Sequence, residues 1–342
     1  MSCCDPNQTV WNGKGFHRRS VLKGAAALAG ALAATPVRAA TKSIKLAFCS
    51  QLLCIIPYEV ARSHGHFTKE GLEVELVYAR GGGAAMQALV GGAVDYGATA
   101  LDVALTAFSK GAPIKRFIST GKLPLFALAV APKQAASITS IKALEGHTVG
   151  VSGLGNADHA LCLFLLHEAG ADAAKVQFAA MGPNLLEALR QGQIDAGLVQ
   201  EPALTLVVKA GGRVLVNAMD AADAKKYLGG NYEFMGVAVR SVEIPQRQAE
   251  MQALARALAA ALQAVQTLSP DDLVKSLPRE MTTGADTGEM RDTLAKYRGS
   301  LYPTTVKIDL AAAERVARSL KVAGLLKADA DTSGLYDTSI AG

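Results

Sequence analysis

The sequence predicts an α/β protein made of two doubly wound lobes joined by two chain crossings. Three observations predict it. The chain has 342 residues, half of them apolar and 19% charged, and single hydrophobic cores stop growing near ~250–300 residues. Strand-like apolar runs alternate with helical ones, the pattern of parallel strands linked by right-handed crossovers. Residues 88–97 (ALVGGAVDYG) return at 188–197 as ALRQGQIDAG, with Ala, Leu, Gly, Asp and Gly shared and Val94 answered by Ile194. A repeat at this spacing, with matched flanks, marks a duplicated α/β unit.

Residues 1–39 read as a leader. His17-Arg18-Arg19-Ser20-Val21-Leu22-Lys23 has the form of a twin-arginine export signal. A short apolar stretch, Gly24–Ala34, follows it, and Val37-Arg38-Ala39 supplies small residues for a signal peptidase. The stretch is too short to cross a bilayer, which takes ~20 residues. Periplasmic residence after cleavage near Ala39 is the expectation.

The first lobe opens with a buried strand at Ile44–Phe48 and a helical run at Ile56–His64. A second strand, Leu72–Ala79, and a glycine turn, Gly81-Gly82-Gly83, lead to a helix ending in the first repeat. The second copy runs Thr148–Ser152, Ala157–Ala169, Val176–Met181, Gly182-Pro183-Asn184 and then the second repeat. Two further apolar segments, Leu125–Val130 and Phe234–Val239, resemble each other and are read as the crossings. The first lobe is then 40–128 plus 238–342, and the second is 129–237. After Pro245, helices at Ala249–Leu268 and Asp309–Leu326 have apolar residues at helical spacing and are expected to pack on the first lobe.

The formal charge of +5 narrows the function. The leader carries Lys14, Arg18, Arg19, Lys23 and Arg38 against Asp5, so the remainder is close to neutral, at +1. A near-neutral body has no broad basic field, which speaks against nucleic acid as a partner. Ser152 in GVSGL lacks the second glycine of a nucleophile elbow. The histidines are not at zinc-ligand spacing, Gly153-Leu154-Gly155 lacks the third glycine of a dinucleotide loop, and no P-loop lysine follows a glycine cluster. No metal and no cofactor is expected. Cys49, Cys54 and Cys162 remain after the leader. An oxidising compartment permits a Cys49–Cys54 disulfide, but the preferred reading is buried free thiols packing as small hydrophobes.

What remains is a set of strand ends. In parallel α/β lobes, ligands bind beyond the carboxyl ends of strands. Here those ends are Cys49-Ser50-Gln51, Arg80 to Gly83, Ala98 to Asp102, Ser152 to Asn156, and Gln200-Glu201. Most are small or polar, so a ligand can approach backbone N–H groups at helix starts, which suits an anionic head group.

The segments Gly65-His66-Phe67-x-x-Glu70-Gly71-Leu72-x-Val74, Ala88-Leu89 through Gly92-x-Val94-Asp95-x-Gly97, and Ala188-Leu189 through Gly192-x-Ile194-Asp195-Ala196, with Pro202 after them, resemble one family. It comprises the solute-binding proteins of ABC importers for nitrate, alkanesulfonates, taurine and thiamine-pyrimidine precursors. The resemblance implies a periplasmic binding protein type II-like fold, a cleft between the lobes, a membrane permease as partner, a monomer, and no enzymatic activity. Carried over residue by residue, it makes Ser50, Gln51, Gly82, Gly83, Thr99, Leu101, Ser152, Asn156 and His159 the contact candidates. Arg80 and Lys122 are candidate counter-charges, Glu201 lies at a strand end, and Tyr232, Phe234 and Tyr58 are candidate walls for an apolar tail. The solute expected is small and anionic: a sulfonate, nitrate or a carboxylate. The sequence lacks the cysteine-rich run of the family's pyrimidine-synthesising enzymes and the ligand-facing tryptophan of some relatives. The competing reading is an enzyme resembling cysteine-dependent desulfinases, with Cys49 as nucleophile.

Overall fold

The computed structural model describes residues 42–341; the leader reading lies outside them. In chain order the elements are β1 (Lys42–Cys49), α1 (Leu52–Ser63), α2 (His66–Lys69), β2 (Leu72–Ala79), α3 (Gly82–Val90), β3 (Tyr96–Ala100), α4 (Leu101–Ser109) and β4 (Ile114–Ser119). Next come β5 (Ala127–Val130), β6 (Thr148–Val151), α5 (Ala157–Glu168), β7 (Gln177–Ala180), α6 (Leu185–Gln191), β8 (Ala196–Val199), α7 (Ala203–Lys209) and β9 (Arg213–Asn217). The chain ends with α8 (Ala221–Asp223), β10 (Met235–Arg240), α9 (Ile244–Thr267), α10 (Pro270–Lys275), α11 (Arg279–Thr282), α12 (Thr287–Leu301) and α13 (Leu310–Val322).

Two five-stranded sheets result, in the orders β2-β1-β3-β10-β4 and β7-β6-β8-β5-β9. Within each, three strands are parallel, as strand–helix–strand connections require. The fourth position is antiparallel in both sheets. β10 runs against β3 and β4, and β5 against β8 and β9. These two strands arrive from the other lobe, so no crossover helix fixes their direction. The segments Leu125–Val130 and Phe234–Val239 therefore contribute interior strands rather than the crossings themselves. The sheet-to-sheet pieces are residues 120–126 and 218–234, just before them. The two pieces pair with each other: Tyr232 N–H donates to Lys122 O at 2.9 Å and Phe234 N–H to Gly121 O at 2.8 Å.

The repeat explains how each lobe latches. Asp95 and Asp195 follow the ends of α3 and α6, and each carboxylate accepts a backbone N–H from the first parallel strand of its lobe, β1 or β6: Lys45 at 2.7 Å and Thr148 at 2.9 Å. Their own N–H groups return the bond to Lys45 O and Thr148 O. Gly97 and Gly197 let the preceding helix lie close on the sheet. A Cβ at Gly97 would stand 3.1 Å from Leu89 Cβ, and one at Gly197 would stand 3.2 Å from Leu185 Cδ2. The repeat is thus a folding device, not a ligand motif.

The tail departs from expectation. α9 packs on α1, α2 and β2 of the first lobe, but α13 packs on both α4 and α5, which belong to different lobes. α12 also reaches the second lobe: Tyr297 Oη accepts from Asn217 Nδ2 at 3.0 Å, and Ser300 Oγ donates to Met219 O at 2.8 Å. Each helix buries one apolar stripe in doing so: Leu294, Tyr297 and Leu301 of α12 and Ala313, Val316 and Leu320 of α13 all stand at i, i+3 and i+7 and are buried.

Candidate binding site between the two sheets

A cavity of about 600 Å³ opens at the strand ends between the lobes. The first lobe lines it with Cys49, Ser50, Gln51, Cys54, Arg80, Gly81, Gly82, Val103 and Met235. The second brings Ser152, Asn156, Asp158, Gly182, Pro183 and Gln200, and the crossings bring Phe126 and Phe234. The two phenylalanines meet edge to face, with centroids 5.8 Å apart, and form the apolar part of the wall.

The first-lobe wall is fixed by the β1–α1 turn. Ser50 Oγ donates to Ala79 O at 2.6 Å, which ties the turn to β2. Cys49 and Cys54 form a disulfide with a Cα–Cα distance of 6.3 Å, which corrects the reading of these residues as free thiols. The end of β1 and the first turn of α1 bring the two sulfurs together, within the Cα spacing that disulfides span. Cys162 is free and buried, and burial pushes its thiol up.

On the opposite wall the organising group is Asp158, at the start of α5 and 1% exposed. Its Oδ1 accepts Ser152 Oγ at 2.9 Å, its Oδ2 accepts Ser152 N–H, and Asn156 Nδ2 donates to Ser152 Oγ at 3.0 Å. Burial raises the Asp158 carboxyl, while bonds from Ser152 and from backbone N–H groups of His159 and Asp158 itself oppose the rise. Gln200 lines the same wall, and its Oε1 is buried without a hydrogen-bond partner.

Of the residues singled out in the sequence, Ser50, Gln51, Arg80, Gly82, Ser152 and Asn156 line the cavity together. Gly83 stands beside it, where a Cβ would come 3.3 Å from Asn156 Oδ1. Phe234 lines it as well, whereas Tyr58 is core, stacked on Phe48 with its hydroxyl 2.9 Å from Thr120 Oγ1.

Six candidates lie elsewhere. Thr99 is buried behind the start of α3. Leu101 is in the core, its N–H donating to Phe234 O at 2.8 Å. Lys122 uses its backbone in the crossing, donating to Leu301 O, and its side chain is not part of the cavity lining. His159 accepts Gly155 N–H at 3.1 Å and sits edge-on to Phe178, turned toward β7; burial lowers its pKa. The Glu201 carboxylate folds back on α7, accepting Thr205 N–H and Oγ1 at 3.0 and 2.9 Å. Tyr232 is buried, its hydroxyl donating to Asp102 Oδ1 at 3.0 Å and lying 2.7 Å from Ser319 Oγ.

Sequence reasoning singles out Gln200 only as a strand end and passes over Asp158, Phe126, Met235 and Pro183 as cavity residues. Asp158 carried a usable signal: an acid three residues after a Gly, in the first turn of an apolar helix, is placed to hold the preceding loop.

The family model described as NMT1/THI5 like matches residues 54–270. The chain belongs to the NMT1/THI5-like family. Among solved structures, a protein from Bordetella bronchiseptica RB50 is 23% identical with a TM-score of 0.77, covering 87% of this chain and 95% of that one. The alkanesulfonate-binding protein SsuA from Xanthomonas axonopodis pv. citri, bound to MOPS, is 17% identical with a TM-score of 0.70, covering 87% and 98%. The periplasmic nitrate-binding protein NrtA from Synechocystis PCC 6803 is 14% identical with a TM-score of 0.69, covering 87% and 86%. The fold of this NMT1/THI5-like chain is therefore the periplasmic binding protein fold expected from its sequence. No curated protein matches the chain.

Proposed function

We propose that this protein is the extracytoplasmic solute-binding component of an ABC-type importer, capturing one small solute in the cavity between its lobes. The carrying observation is that both lobes contribute polar groups to a single cavity. Neither wall alone encloses a guest, so binding favours the state in which the walls approach, and the closed form is what a membrane permease would receive. The first-lobe wall supplies Ser50, Gln51, Arg80 and the N–H groups that open α3. The second supplies Ser152, Asn156 and Gln200.

Residues 1–39 are proposed to direct export, with cleavage near Ala39. The lobes are proposed to divide within the pieces 120–126 and 218–234 rather than at 129 and 237, positions that fall inside β5 and β10. The Cys49–Cys54 disulfide fits an oxidising compartment. It also removes the thiol that the desulfinase-like reading needs, because a bonded sulfur offers no thiolate.

A thermal-shift panel of alkanesulfonates, nitrate, aromatic carboxylates and pyrimidines tests the proposal. A solute at a hundredfold excess over its Kd stabilises the native state by about 2.7 kcal/mol, so at least one class should raise Tm by several degrees. Turnover of any of them, without a rise in Tm, would overturn it.

A further inference from the structure

Three glycines open α3, and backbone geometry explains only the first. Gly81 has a φ of 129°, which favours glycine. Gly82 and Gly83 lie within the helix, at no positive φ, and there a glycine is weaker than an alanine. The duplicated plan does not demand glycine either: in register with the repeat, Gly83 answers to Pro183 in the second copy. Space decides between them. A Cβ at Gly82 would make ordinary contact within its own lobe, 3.5 Å from Val103 Cγ2 and 3.7 Å from Thr99 Cβ. A Cβ at Gly83 would stand 3.3 Å from Asn156 Oδ1, which belongs to the other lobe.

Asn156 has little room to yield. It precedes α5, and its Nδ2 donates to Ser152 Oγ at 3.0 Å, while Ser152 Oγ donates to the buried Asp158 at 2.9 Å. Gly153 flanks the same amide, close enough that a Cβ there would come 2.8 Å from Nδ2. The Asn156 amide therefore sits between two glycines, one from each lobe, and is held by a chain of hydrogen bonds. Asn156 lines the cavity and Gly83 does not, so their contact lies at the cavity's border, where the lobes meet.

We propose that Gly83 and Asn156 form a seam on which the lobes shut, and that the missing side chain at 83 is what lets them shut. This rests on the solute-binding reading above and gives Gly83 a different part in it, as a closure contact rather than a solute contact. A side chain at 83 acts on the shut form and not on the solute. Apparent affinity falls with the fraction of molecules able to shut, so chemically different solutes lose the same factor. The open form has room for the methyl group and keeps the gain in helix propensity. Affinity and stability therefore move in opposite directions, which loss of a merely structural glycine would not produce.

Calorimetry on the intact mature protein tests it, with propanesulfonate, nitrate, benzoate and cytosine as probes, one from each class of the panel above. Gly83→Ala should weaken every probe that binds by about tenfold, with the Tm of the unliganded protein unchanged or higher. Gly83→Leu, larger and still a good helix former, should weaken them further. Asn156→Ala removes the oxygen that the new methyl group would meet. In that background Gly83→Ala should cause no further loss, a non-additivity that marks direct contact. Native affinity in Gly83→Ala, a loss that differs between probes, a lower unliganded Tm, or an undiminished loss in the Asn156→Ala background would each overturn the seam and leave the solute-binding reading standing. Binding of none of these probes and of no other solute in the panel would overturn both.

Discussion

The two lobes share a plan and differ in how each secures the loop that faces the guest. Asp95 and Asp195 latch the first strand in the same way in both, and Gly97 and Gly197 seat the helix on the sheet in both. The loops after those first strands do not correspond. In the first lobe a covalent bond, Cys49–Cys54, closes the β1–α1 turn. In the second, Asp158 closes the β6–α5 turn through Ser152, which is itself bonded to Asn156. Positions that set the fold kept one chemistry in both halves, and positions that meet the guest diverged, because a duplicated scaffold needs one way to fold but two complementary walls to grip.

A second asymmetry lies where the chain returns. Arg116 in β4 is fully buried. It donates to Glu233 Oε1 and Phe234 O, each at 2.9 Å, and to Thr99 O at 3.1 Å. Gly236 makes room for it, since a Cβ there would meet the guanidinium. Among the described residues the second lobe has no ion pair buried on both sides. Removing one partner of such a pair strands the other charge, at a cost of about 3–5 kcal/mol. Arg116→Met should therefore be the most damaging single change, read by urea unfolding. A loss below about 1 kcal/mol would mean the returning strand is held by packing alone, and the asymmetry would be one of composition only.

The carboxylates opening α4 and α5 sharpen the contrast, because these two helices pack on each other across the lobes. Asp158 has two donors from Ser152. Asp102 has Tyr232 Oη on one oxygen, and its Oδ2 is buried without a partner. Burial pushes the Asp102 carboxyl up to about 6, and Asp158 adds to the rise, against bonds from its own N–H and from Tyr232 and the charge of Arg116. A carboxyl raised in the folded state binds its proton more tightly there than in the unfolded chain. Its stabilising contribution is therefore present below about pH 4 and lost as pH rises through about 6, a change on the order of 2–3 kcal/mol. Asp102→Asn does not titrate. The stability of the native chain relative to this variant should fall between pH 4 and 6 and be level above about 7, measured by urea unfolding at each pH. The groups that act on Asp102 are Arg116 from β4, Tyr232 from the crossing and Asp158 from α5, while Ser319 of α13 touches the Tyr232 hydroxyl. A flat difference would mean that Arg116 holds the Asp102 charge through the whole range.

How much of this was legible follows from the same division. Apolar periodicity and the 88–97/188–197 repeat specified the parallel part of both sheets, because burial of a strand between helices marks the residues along it, whereas β5 and β10 read as crossings and β4 and β9 were not singled out. The small and polar strand ends pointed to Ser50, Gln51, Arg80, Gly82, Ser152 and Asn156. Where a side chain turns away was not legible. Glu201 and His159 sit at suitable positions, yet Glu201 caps its own helix and His159 rests on Phe178. Such choices depend on partners far along the chain. Arg116 and Glu233 are 117 residues apart, and neither has a local pattern that announces the other.

The disulfide carries the smallest expected effect on stability and the most direct bearing on the two-wall comparison. Cross-linking Cys49 to Cys54 closes a loop of about five residues, for which the loss of unfolded-chain entropy corresponds to about 2 kcal/mol. Cys49→Ser with Cys54→Ser should lower stability by that amount. Its larger consequence falls on the site, because the loop it closes holds Ser50 and Gln51. The Ser50–Ala79 bonds still tie one end of that loop to β2, so affinity for the solute should weaken rather than vanish. Asp158→Asn makes the reciprocal test. It keeps an acceptor for Ser152 but removes the buried charge from the second-lobe wall, so an anionic solute should bind unchanged or tighter. If both variants weaken binding of an anionic solute alike, the two closures serve only to stiffen their loops.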